Sequence, residues 1–106
     1  MRFEQVSIGQ RLGQPVATPA QGGLLGLTLT PVSVATATVA EQDFTVAGLL
    51  TTDRIAILDY NTGNATGLVG ARCSAANTLT LSFVNPTGAG VVPGAGVYNF
   101  EVIRQQ

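Results

Sequence analysis

The sequence predicts an all-β fold: an antiparallel β-sandwich of about six to eight strands, Greek-key or jelly-roll-like, with an extended N-terminal arm. Three observations carry that expectation. Apolar residues recur at every second position, the breaks between these runs hold residues suited to tight turns, and no segment between them has a convincing helical period. At 106 residues the chain fits one domain, able to bury roughly 60–70% of the surface its unfolded form exposes. The expected organisation is an arm over residues 1–26 and a sandwich domain over residues 27–106.

In chain order, Phe3–Ile8 reads as a short strand, followed by Gly9–Gly23, a Gly-, Gln- and Pro-containing stretch without steady period that reads either as a disordered terminus or as an arm ordered only when it lies along a partner. Leu25, Leu27 and Leu29 then alternate, and Val32 and Val34 continue the alternation beyond Pro31. Phe44 with Val46, Ile55 with Ile57, the set Leu79, Leu81 and Phe83, and the set Tyr98, Phe100 and Val102 follow the same rule. In an extended strand these residues project to one face, and Thr28, Thr30, Thr45, Thr80, Ser82, Asn99 and Glu101 to the other.

The interruptions are turn-like. Asn61-Thr62-Gly63-Asn64 supplies residues that tolerate positive φ, and Ser74-Ala75-Ala76-Asn77 is placed to close a hairpin between Val69–Cys73 and Thr78–Val84. Cys73 is in phase with Val69 and Ala71 and is expected to face inward as a buried thiol. Asn85–Gly96 is a long connector of small residues that places Val91 and Val92 between glycine clusters. A stretch of this kind is either a plain linker or a contact loop.

Composition narrows the functional classes. Charged residues make up 10% of the chain and the net charge is −1, whereas an ordinary soluble domain carries about 25% charged residues. The basic residues are all arginines, scattered at Arg2, Arg11, Arg54, Arg72 and Arg104, so no basic stripe is present to neutralise a run of phosphates and nucleic acid is not an expected partner. No uninterrupted apolar run is long enough for a membrane helix and no charged N-region precedes one, so neither a membrane association nor Sec-type export is expected.

Without histidine, a Ser-His-Asp or Cys-His site cannot be assembled, and without lysine there is no Gly-Lys-Ser/Thr phosphate loop and no Schiff-base amine. Acid–base work would fall to carboxylates, with Asp53 and Asp59 flanking Arg54–Leu58 and Glu41 and Asp43 preceding Phe44. No aromatic sugar platform accompanies them, and Asp53 beside Arg54 reads as an exposed local ion pair. The expectation is a non-enzymatic protein with no catalytic residue, cofactor, metal or small-molecule substrate.

One further likeness lies in the wording of the chain. The segment Thr38-Val39-Ala40-Glu41-Gln42-Asp43-Phe44-Thr45-Val46-Ala47-Gly48-Leu49, then Thr52-Asp53-Arg54, the run Gly67–Asn85 with its Ala71-Arg72-Cys73-Ser74-Ala75-Ala76-Asn77-Thr78-Leu79 phrase, and the closing Val97–Arg104 resemble small β-rich virion proteins of tailed bacteriophages, the capsid decoration or cement proteins. The likeness spans roughly residues 32–104 and leaves the arm unmatched. It implies a many-copy structural protein on the outer capsid surface, assembled in the host cytoplasm, that bridges capsomers and contacts the major capsid protein and other copies of itself as a trimer or dimer. A tail or head fibre component contacting a host receptor is the alternative, and a small hydrolase or sugar-binding module a more distant one. Arg11 and Leu12 in the arm and Val91 and Val92 in the Gly-rich loop are the candidate protein-contact residues. Edge strands in soluble monomers are commonly guarded by lysine, which this chain lacks, so an edge at Phe3–Ile8 or Val97–Arg104 is expected to be covered by another copy or by the shell.

Overall fold

A computed structural model describes residues 20–105. Six strands account for the regular structure of the described residues: β1 (Ala20–Leu29), β2 (Thr38–Thr45), β3 (Arg54–Asp59), β4 (Gly67–Ala75), β5 (Thr78–Asn85) and β6 (Gly96–Gln105). They form two three-stranded antiparallel sheets, β1-β6-β3 and β2-β5-β4, and no helix occurs among the described residues. The expected Phe3–Ile8 strand lies outside the described residues. Residues 20–26, expected as the end of the arm, are the first part of β1, because a strand paired residue by residue with β6 tolerates the three glycines that disguised it.

Alternation decides which faces are covered. Tyr98 and Phe100 of the first sheet and Leu79, Leu81 and Phe83 of the second are fully buried, and with Leu29, Val34, Leu49, Leu68 and Cys73 they form one core shared by the two sheets. Each such side chain contributes roughly 1.5–3 kcal/mol by leaving water. The Phe83 and Tyr98 rings meet edge to face at 6.2 Å across the intersheet space, and Tyr60 stacks on Tyr98 at 6.0 Å.

Two expectations about facing are corrected. Val69 is exposed and Leu68 buried, because a register irregularity between Leu68 and Gly70 inserts an extra residue into β4 and reverses the side on which the following residues fall. Cys73 stays buried because it lies beyond that irregularity, in phase with Ala71. Val32 is exposed while Val34 is fully buried: β1 ends at Leu29, before Pro31, and Gln42 holds the Val32 backbone by donating to its carbonyl at 2.8 Å and accepting from its N–H at 2.9 Å.

The β4–β5 hairpin forms where the sequence placed it. Asn77 takes the left-handed conformation at φ 64°, which asparagine tolerates better than most residues. It also braces the β2–β3 loop, accepting from Val46 N–H, donating to the Leu49 carbonyl, and taking Gly48 N–H on Oδ1 at 2.8 Å. Val97–Arg104, expected at an edge, belongs to β6, which lies at the centre of its sheet between β1 and β3.

Candidate protein-contact surface

Topology gathers three loops at one end of the molecule. The register of β1 and β3 on β6, and of β2 and β4 on β5, sets the β1–β2 loop (residues 30–37), the β3–β4 loop (residues 60–66) and the β5–β6 loop (residues 86–95) side by side. No residue in these three loops is charged. Asp59, the last residue of β3, borders this end, whereas the Asp53–Arg104 pair lies at the other.

Asn85, the last residue of β5, holds the uncharged end together. Its side chain is fully buried; Nδ2 donates to the Val34 carbonyl at 2.9 Å and the Ala89 carbonyl at 2.8 Å, while Oδ1 accepts from the Thr87 N–H at 2.9 Å and the Thr87 hydroxyl at 2.7 Å. Val34 and Val91 exchange backbone hydrogen bonds at 2.8 and 3.1 Å, the Thr36 hydroxyl donates to the Thr87 carbonyl, and Asn64 Nδ2 donates to the Val92 carbonyl at 2.8 Å. At the far side of the loop Pro93 is buried and the Tyr98 hydroxyl donates to the Gly94 carbonyl at 2.7 Å. The Gly-rich stretch is therefore a braced loop that displays selected side chains.

Val91 sits half-buried in the bridge to Val34, and Val92 projects into solvent at 52% exposure, with Val32 of the neighbouring loop at 66%. Two of the contact residues expected from sequence are thus built into one end of the fold, one as a brace and one as a displayed apolar group. Arg11 and Leu12 lie outside the described residues. Sequence reading missed Asn85 as the hub and Val32 as a displayed neighbour. The Asn85-Pro86-Thr87 order was a legible hint of a side chain turning back on its own backbone, but the long-range bond to Val34 was not.

The carboxylates are engaged structurally. Asp53 is buried and accepts a two-pronged contact from Arg104, at 2.8 Å from Nε and 2.7 Å from a terminal nitrogen, together with the Leu50 N–H at 2.9 Å. This corrects the expected exposed pair with Arg54: Asp53 faces the end of β6, whereas Arg54 is exposed on β3. The Arg104 hydrogen bonds hold the Asp53 carboxyl below the ordinary aspartate range, against the opposing pull of burial, and Asp53 in turn raises the Arg104 guanidinium. Asp53 immediately precedes the six-residue β3 and Asp59 ends it, a separation of about 20 Å along an extended strand, far beyond the roughly 5–9.5 Å of glycosidase pairs.

On the outer face of the second sheet Arg72 reaches across β5 to Glu41 at 2.9 Å, and Asp43 accepts from the Thr80 hydroxyl at 2.6 Å. Among the described residues, no three Cys, Asp or Glu side chains converge to hold a metal ion. The remaining exposed large apolar side chains lie on the strands and, for Leu50, in the β2–β3 loop, with Leu24 of β1 the most exposed at 78%. No protein-family model, characterised protein or solved structure matches this chain.

Proposed function

We propose that this protein is a non-enzymatic structural component of a bacteriophage particle, a six-stranded β-sandwich that decorates the outer capsid surface and stabilises it by bridging capsomers. The single observation that carries the reading is the charge-free loop end, braced by Asn85 and displaying Val32 and Val92. The phrase-level likeness to decoration proteins supports it from a separate direction.

A contact surface without charges incurs little desolvation penalty when another protein covers it. A loop end already tied by hydrogen bonds loses little further conformational entropy on docking. Binding to the assembled shell and not to its separated subunits stabilises the shell by mass action, and repeated sites on a particle multiply weak contacts through effective concentration.

Co-sedimentation of the purified protein with heads lacking it is the direct test. The wild-type protein pellets with heads at low and moderate salt alike, since few charges are available to be screened. Val92→Asp weakens attachment by about 10–100-fold, the equivalent of roughly 1.5–3 kcal/mol of lost apolar burial, while leaving the fold intact. Failure of the wild-type protein to bind heads, or attachment indifferent to Val92→Asp, overturns the proposal.

A further inference from the structure

Two three-stranded sheets have four edges, and three of them are guarded. β2 carries Glu41 and Asp43; β3 begins with Arg54, ends with Asp59 and shifts register between Ile57 and Asp59; β4 carries Arg72 and two register shifts. Charges and irregularities of this kind are the ordinary means of discouraging edge-to-edge pairing. The β3 and β4 edges are also linked across the intersheet space, where the Tyr60 hydroxyl approaches both the N–H and the carbonyl of Leu68.

β1 has none of these protections. It is ten residues long, contains no charge, and pairs with β6 at every position from Ala20 to Leu29 without a shift. On its other side nothing among the described residues pairs with it. An antiparallel edge leaves roughly half of its backbone donors and acceptors directed outward, and here they form an unbroken row.

We infer that the outer edge of β1 pairs antiparallel with β1 of a second copy, joining the two β1-β6-β3 sheets into one continuous six-stranded sheet. A second copy is the occupant that the strand itself specifies. A two-fold axis across the edge makes the contact self-complementary, and because β1 is uncharged no like charges meet in any register. The same pairing at β2 would crowd Glu41 and Asp43 of both copies. The antiparallel arrangement also brings Leu24, whose side chain lies on the outer face of the sheet, within reach of outer-face side chains on the neighbouring strand, covering the most exposed large apolar group among the described residues. The inference does not rest on the capsid reading, since pairing occurs in free protein whether or not heads bind.

The test is sedimentation velocity on the full chain up to about 100 µM, combined with hydrogen exchange of β1 amides. Wild-type protein is expected to dimerise with β1 protected. The paired substitution Leu24→Lys with Thr28→Lys places like charges along the edge and weakens dimerisation at least tenfold, as does Thr28→Glu, while each variant keeps the wild-type circular dichroism spectrum. Mixing the basic and acidic variants restores a heterodimer, which a merely misfolded variant cannot do. A wild-type monomer at the highest concentration, or a dimer unaffected by the lysine pair, overturns the inference. So does a dimer lost only when residues 1–19 are removed, which would mean that the association runs through that segment.

Discussion

Asn85→Ala offers the most direct test of how the contact surface is built. The substitution removes four hydrogen bonds from a fully buried side chain, two donated to the Val34 and Ala89 carbonyls and two accepted from Thr87. A typical hydrogen bond contributes a net of about 0.5–1.5 kcal/mol, so four would be worth roughly 2–6 kcal/mol without compensation. Compensation is partial. The Val34 carbonyl still accepts from Val91 N–H at 3.1 Å, and the single Thr87 hydroxyl proton, freed from Asn85 Oδ1, turns to the Ala89 carbonyl 2.8 Å away, whereas the Thr87 N–H loses its acceptor. The expected cost is therefore about 2–4 kcal/mol. Urea unfolding followed by far-ultraviolet circular dichroism measures it, and hydrogen exchange at Val34 and Val91 reports whether the loops part before the sheets do. Asn85→Asp sharpens the test: it keeps the acceptor but sets a carboxylate against two carbonyl oxygens at neutral pH, so it should cost more than alanine there and recover as acid protonates the introduced carboxyl. A loss below about 1 kcal/mol for Asn85→Ala, with the Val34 and Val91 amides as protected as before, would refute the view that this side chain holds the loop end together.

Two further substitutions probe the frame behind that surface. Phe83→Ala should cost about 3–5 kcal/mol through the cavity left against Tyr98, and a measured loss below about 1 kcal/mol would place Phe83 outside the core. Arg104→Met leaves the Asp53 carboxylate buried with only the Leu50 N–H, so the variant should unfold at a lower urea concentration than wild type at neutral pH. The wild-type folded-state pKa of Asp53 is depressed, so its contribution is fully present above about pH 4 and is lost as pH falls below that value toward the folded pKa. In Arg104→Met that acid-side loss should shrink or reverse. Parallel stability–pH profiles for the two proteins would show that the pair is not coupled in this way.

Much of the frame is legible in single segments. Leu25, Leu27 and Leu29, then Leu79, Leu81 and Phe83, then Tyr98 and Phe100, all face the core as their spacing requires, and the Asn77 hairpin closes where its turn residues stand. The candidate surface was only partly legible. Val91 and Val92 stand out as apolar residues between glycines, but nothing near them in sequence announces Val32, and Asn85 is separated from its Val34 partner by 51 positions. Sequence adjacency pairs Asp53 with Arg54, whereas Arg104, also 51 positions away, holds it in the fold. Val69 was assigned inward because alternation assumes an unbroken register, and the irregularity in β4 breaks it against β5.

By itself the sequence determined the all-β class, the inward residue of most strands and the scarcity of charge, because alternation, turn preference and composition are properties of short segments. Only the tertiary structure decided that β6 is central while β1 lies at the edge of its sheet among the described residues, that three uncharged loops share one end, and that Asn85 and Arg104 hold chain regions remote in sequence. Those outcomes depend on which strands become neighbours, and a strand's pattern specifies the face it buries without specifying the partner it pairs with.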